Sequence, residues 1–427
     1  MSVAQRWQEI RTGFARPFWI ANGTELFERL AYYGPQAVLA IYLHEHLGLS
    51  GEQAAWLIGY AGFITWFMPV VGGTLADRFG FRRTLVGAFL ILAVGYFLLG
   101  SLSAGWMAPV RQAVPLFALM HVLMLVPALG PAVVKPVVVG TTARAAHESV
   151  RSMGYSIYYT VVNVGAAIGP LAASLIRTSV GVEDVFRVSA GLTFLMAIAA
   201  LLFYKEPGRG AEPQVASVAE AFKNLVKVLG NVRFVVFLLI FSGFWVSYWQ
   251  QYLTLSIYWR DYVNHDTNVD RLLSVEALTV ILTTFLVTYV MRKVPPFTAM
   301  ILGVLVSSFC WLILTLGNTT PFLVAALIVL ALGEVTQAPR YYEYVSRLAP
   351  PGQQGLFMGY AFLPIGIGYL GGGWLGGRLV HHFGQVTHHP AQMWYVVSGV
   401  GLFATLLMFV YNVVVKPSAR TAAGGTQ

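Results

Sequence analysis

The chain has 427 residues, 57% of them hydrophobic, 14% aromatic and only 11% charged, where soluble domains carry about a quarter charged residues. That balance excludes a soluble enzyme and predicts an all-α polytopic membrane protein whose surface partner is the lipid bilayer. A single cysteine, Cys310, excludes a disulfide framework and a multi-cysteine metal site, and the +9 formal charge is scattered over short loops, which speaks for membrane topology and against nucleic acid.

The polar start, M-S-V-A-Q-R-W-Q-E-I-R, lacks an apolar core followed by a small-residue cleavage site, so no removable leader is expected. Segments long enough to span a bilayer follow at 17–43, 53–75, 84–104, 113–142, 152–176, 187–204, 234–259, 272–291, 296–316, 321–346, 355–380 and 391–415. With the N-terminus inside, only Arg111, Arg177, Arg187, Arg260, Arg271 and Arg378 fall on the outer side. Arg29, Lys135 and Arg340 lie within spans, and the other two thirds of the Lys and Arg residues are cytoplasmic. Both termini are therefore expected in the cytoplasm, and the protein in the cell (inner or plasma) membrane.

Five parts are expected: a cytoplasmic tail (1–16), a six-helix bundle (17–204), a cytoplasmic linker (205–233), a second six-helix bundle (234–415) and a cytoplasmic tail (416–427). The linker is the longest charged loop, and from Val215 onward it reads as an amphipathic helix at the membrane surface.

The first span carries N-G-T-E-L-F-E-R-L-A-Y-Y-G from Asn22 to Gly34. Helical spacing puts Glu25, Glu28 and Arg29 on one face. Charges at bilayer depth are costly and normally face a partner or an aqueous cavity. A desolvated carboxylate holds its proton more tightly and a nearby cation loosens it again, so exchange of ion-pair partners can turn conformation into proton uptake and release. Lys135, before Pro136 in the fourth span, is the natural switching cation, whereas Arg29 stays charged and tunes the set. These four residues are the candidate proton-coupling group.

Between the second and third spans, Gly72 to Thr84 reads G-G-T-L-A-D-R-F-G-F-R-R-T. Through Gly73, Asp77, Arg78, Gly80, Arg82 and Arg83 it resembles the signature loop of the major facilitator superfamily, whose two six-helix halves flank a midplane substrate site. The first-span motif Glu25, Glu28, Arg29, Tyr32, Tyr33 and Gly34 is similar to that of the proton-dependent oligopeptide transporters. Further matches are Lys135-Pro136, the aromatic run ending at Asn163 and Gly165, and Gly333-Glu334 with Pro339, followed by Leu348-Ala349-Pro350 and Met358-Gly359.

The resemblance implies a proton-coupled symporter of small peptides or peptide-like zwitterions that works by alternating access. It implies no catalytic residue, no metal and no cofactor other than the coupling proton. Lys135 would contact the substrate carboxylate or the coupling glutamates. Glu334 would receive the substrate amino group, or bridge to Lys135 as a gate. Tyr32, Tyr33, Asn163, Trp245 and Gln250 are further candidates for substrate binding.

Departures from the family pattern bear on the pocket. Gln36 stands where an arginine usually holds the peptide carboxylate, and Trp66 stands where a tyrosine lines the pocket. The seventh-span run Phe244 to Gln251 has no carboxylate, the two extra inter-half helices are absent, and Arg340 is an added cation as suited to a cytoplasmic gate as to contact with a ligand. An exporter of drugs or metabolites, exchanging them for protons on the same fold, is the alternative. Glu276 reads as interfacial, with no direct role, and His44, His46, His381, His382, His388 and His389 as solvated loop residues. A monomer is expected.

Overall fold

The structure, a computed structural model, describes residues 12–207, 230–348 and 360–415. The longer helices are α1 (Arg16–Ile41), α2 (Gly51–Phe67), α3 (Pro69–Phe79), α4 (Phe81–Leu99), α5 (Leu116–Ala145), α6 (Arg151–Ser179) and α7 (Val182–Phe203). After the linker come α8 (Val232–Tyr248), α9 (Ser274–Met291), α10 (Pro296–Leu316), α11 (Thr320–Leu348), α12 (Leu363–Leu379) and α13 (Met393–Val415). Each expected span meets one of these helices. Nine helices among the described residues are long and apolar enough to cross a membrane. The other three segments fall short for local reasons. α1 carries the three charges, α2 and α3 are parted at Met68–Pro69, and α12 has 17 residues.

Local chemistry sets the boundaries. Ser50 and Gln53 form a reciprocal capping box at the start of α2. Gly80, at φ +85°, makes the turn between α3 and α4 that a residue with a side chain resists. The Glu206 carboxylate caps α4, accepting from the Phe81 amide (2.7 Å) and the Arg82 amide (3.0 Å). Signature-loop residue Arg82 reaches the Leu201 carbonyl, and the Arg78 guanidinium lies over the Phe79 ring; Gly73 and the Asp77 side chain lie outside the description. So do the amphipathic stretch from Val215 to residue 229, and Ala349, Pro350, Met358 and Gly359.

The outward faces carry large apolar side chains such as Leu282 and Phe285 (78% and 86% exposed), as a lipid-facing surface requires. Inside, small residues let helices approach closely. A Cβ on Gly165 of α6 would fall 2.4 Å from the Arg29 Cβ, so α1 and α6 touch at the charged motif itself. Gly59 of α2 and Gly373 of α12 bring the N- and C-terminal halves of the chain together in the same way.

On the side expected to face outward, ion pairs join the two halves. Arg260 grips Glu45 with two nitrogens, Arg177 meets the buried Asp270 at 2.9 Å and donates to Asn268 at 2.6 Å, and His44 lies 2.9 Å from Asp261. His44 and His46 are thus partnered rather than simply solvated, since His46 contacts Glu183 and Ser103. His381, His382, His388 and His389 are exposed as expected.

Candidate substrate cavity and buried charge cluster

A cavity of about 540 Å³ lies between the halves, with walls from α1, α2, α3, α5, α6, α8, α9, α11 and α12. Lys135, Trp66, Tyr33, Asn163, Trp245 and Glu334 all line it. Lys135 comes from the N-terminal half and Glu334 from the C-terminal half. They form no ion pair here. The Lys135 Nζ instead stands 3.3 Å from the centre of the Trp66 ring, a cation–π contact that holds the ammonium in place. The aromatic substitution in α2 therefore works as a seat for the cation.

Behind the cavity wall, α1 holds Glu25, Glu28 and Arg29 at 0%, 1% and 1% exposure. Arg29 pairs with Glu28, approaches Glu25 at 3.3 Å and lies 5.1 Å over the Tyr32 ring. Two carboxylates share one guanidinium, and Glu25, the more loosely held of the two, has the Tyr158 hydroxyl as its other neighbour. A fully ionised cluster would thus keep a buried negative charge, which a proton or an approaching cation removes.

Other predicted site residues lie elsewhere. Gln36 and Tyr32 face a small separate pocket between α1, α2, α4 and α5, and Gln36 donates to the Tyr369 hydroxyl at 3.4 Å. Gln250 is fully buried away from the cavity. It donates to the Gly372 carbonyl at 3.0 Å and accepts from Thr254 at 2.8 Å, clamping the break after α8 to α12. Asn163 donates to the Tyr159 carbonyl of its own helix at 2.8 Å while lining the cavity. Arg340 pairs with Glu343 at 2.9 Å and caps α9 through the Met291 carbonyl at 3.0 Å, so it ties α11 to α9.

Sequence reasoning missed Glu276. It was expected to be interfacial, but it is 5% exposed and lines the cavity beside Glu334, with the Tyr248 hydroxyl between them at 3.1 and 2.8 Å. Its place in the first turn of α9 is where an acid usually serves the helix dipole, which concealed it. Glu334 is therefore not alone among carboxylates deep in the C-terminal half. Gln337, one turn further along α11, also lines the cavity.

Two helical halves around a cavity lined by charged residues are the arrangement expected of a secondary transporter, and the comparisons agree. The Major Facilitator Superfamily profile matches residues 24–297 and 263–427, so the chain belongs to that superfamily and is an integral membrane transporter of the cell membrane. Within it, the chain is 23% identical to multidrug resistance protein MdtH of Aeromonas hydrophila, over 91% of this chain and 94% of that protein. It is 26% identical to dipeptide and tripeptide permease B of Photorhabdus asymbiotica, over 52% of this chain and 44% of that protein. It thus spans less than half of that permease. A POT family transporter solved in complex with 5-aminolevulinic acid has the same fold, with TM-score 0.76, 16% identity, and coverage of 94% of this chain and 96% of that one.

Proposed function

We propose that the protein is a proton-coupled symporter of small peptides or peptide-like zwitterions, working by alternating access. The observation that carries this reading is the pairing of opposite charges across one cavity. Lys135 on the N-terminal wall suits a carboxylate, Glu334 on the C-terminal wall suits an ammonium group, and about 540 Å³ holds a ligand of that size. The likeness to the permease and to the POT family structure supports it.

The Glu25–Glu28–Arg29 cluster supplies the coupling. With one proton it is neutral. Without it, the excess negative charge draws Lys135 off its Trp66 seat, and substrate carboxylate competes for the same ammonium. In this reading the ion pairs that join the two outer ends belong to the inward-facing half of the cycle. The gating residues in this reading are Lys135 and Glu334, on opposite walls of the cavity, and Arg340, which joins the ends of α11 and α9. Both termini lie in the cytoplasm and the protein acts as a monomer in this reading.

Purified protein in liposomes, given an inward proton gradient and a mixed pool of di- and tripeptides, tests the proposal. Wild type should accumulate peptide only with the gradient, and Glu25→Gln and Glu334→Gln should each lose accumulation. Folded protein that takes up none of the pool refutes it. The whole-length likeness to MdtH, and a Gln36 turned away from the cavity, then favour the second reading, proton-driven export of non-peptide compounds.

A further inference from the structure

Tyr248 carries one phenolic proton, yet its oxygen lies 3.1 Å from Glu276 Oε1 and 2.8 Å from Glu334 Oε2. The phenol donates to one carboxylate only. The other contact is attractive only if that carboxyl is itself protonated and donates to the phenol oxygen. Among the described residues no Lys, Arg or His lies within 4 Å of either glutamate, and Arg340 on the same helix is committed to Glu343 and Met291. The titratable groups facing the pair are the phenols Tyr33 from α1, Tyr159 from α6, Tyr252 after α8 and Tyr342 from α11, all neutral at pH 7. Across the cavity, the Lys135 ammonium rests on Trp66. Two adjacent carboxylates at low dielectric without a cation do not both ionise.

A second observation shows that this wall is built for a polar ligand. Gln337 is fully buried and lines the same cavity, and neither its amide nitrogen nor its carbonyl oxygen has a partner; the same holds for the indole nitrogens of Trp245 and Trp249. Buried polar groups are ordinarily hydrogen-bonded, so several unpaired ones around one cavity indicate partners that arrive with a ligand.

We propose that Glu276 and Glu334 form a second proton site, distinct from the Glu25 cluster, that holds one shared proton when the cavity is empty and exchanges it for the ammonium group of an amine-bearing ligand. The exchange balances. The protonated pair, carrying one negative charge, meets R–NH₃⁺. The proton passes to cavity water, and the doubly ionised pair retains the cation, with the Gln337 carbonyl as a further acceptor. The inference rests on this cavity being the ligand site and not on the direction of transport. It names the ligand class: compounds with a free cationic amine, with neutral N-acylated analogues excluded.

Detergent-purified protein is titrated with dialanine, N-acetyl-dialanine and 5-aminolevulinic acid across a pH series, binding being read from the fluorescence of the cavity tryptophans. Ligand-free protein is compared with Glu276→Gln by infrared difference spectroscopy. Competition requires dialanine and 5-aminolevulinic acid to weaken by about tenfold per pH unit on acidification through the pair's titration. Glu276→Gln, with one carboxyl left and no proton to share, should bind both amines with little pH dependence. The wild-type minus Glu276→Gln difference should show one protonated-carboxyl band, over any band of the Glu25 cluster common to both proteins, and either amine should abolish that band in wild type. Absence of the band overturns the shared proton whatever binds. Equal binding of N-acetyl-dialanine overturns the amine exchange but leaves the peptide reading intact. Amine probes that bind without removing the band overturn the exchange, and a wild type that shows the band but binds no probe fails the peptide reading and the amine assignment together.

Discussion

Gly165→Ala tests whether the charged motif of α1 is held by helix packing. The added Cβ would stand 2.4 Å from the Arg29 Cβ and 3.3 Å from the Arg29 carbonyl carbon. Carbon atoms rest about 3.5–4.0 Å apart, so α1 and α6 must part by roughly 1 Å at the point where Arg29 binds its two glutamates. The obstruction is the root of a helical residue, not the end of a flexible side chain, so rotamer adjustment gives no relief. Overpacking of this kind costs about 1–3 kcal/mol. Gly23, on the same helix, is the matched control, since a Cβ there meets nothing within 4 Å. There, Gly→Ala should stabilise by about 0.5–1 kcal/mol through helix propensity. Unfolding of the two variants and wild type, followed side by side by fluorescence in one detergent, should rank them Gly23→Ala, wild type, Gly165→Ala. In liposomes, Gly165→Ala should also lose gradient-driven uptake. A Gly165→Ala protein as stable as Gly23→Ala, with full uptake, refutes the packing argument.

Two further outcomes follow from the same geometry. The Asp261 carboxylate, hydrogen-bonded to His44, raises the His44 pKa against the opposing effect of partial burial. A raised histidine pKa means that its contribution to outer closure is complete below the ordinary value near 6.5 and is lost as pH rises through the folded value. Spin labels on the two outer ends should therefore move apart as pH rises from about 6 to 8 in wild type, and His44→Gln should flatten that response; an unchanged response in His44→Gln counts against the latch. Gln250→Leu should lower stability by about 1–3 kcal/mol, because it removes the buried hydrogen bonds that join Gln250 to the Gly372 carbonyl and to the Thr254 hydroxyl. Dialanine binding should persist in this variant, and loss of binding at unchanged stability would return Gln250 to the substrate site.

Much of this protein was legible in the amino-acid order. Runs of apolar residues long enough for a bilayer place the helices, because a backbone in lipid has to satisfy its own hydrogen bonds. Three charges at helical spacing in one such run announce the Glu25–Glu28–Arg29 cluster, and Lys135 beside Pro136 and Glu334 beside Gly333 announce the two cavity walls. Tertiary structure decided what those residues face. Gln250 lies on a run that looks continuous, but the helix breaks at Trp249 and again at Thr254, which changes the rotational phase and turns its amide toward α12. Gln36 points into a separate pocket because α1 presents different faces to α2 and to the cavity. Glu276 and Glu334 are distant in sequence, and helical periodicity gives each a face without saying which faces meet. Only the packing of α9 against α11, with Tyr248 of α8 between the two carboxyls, makes them a pair.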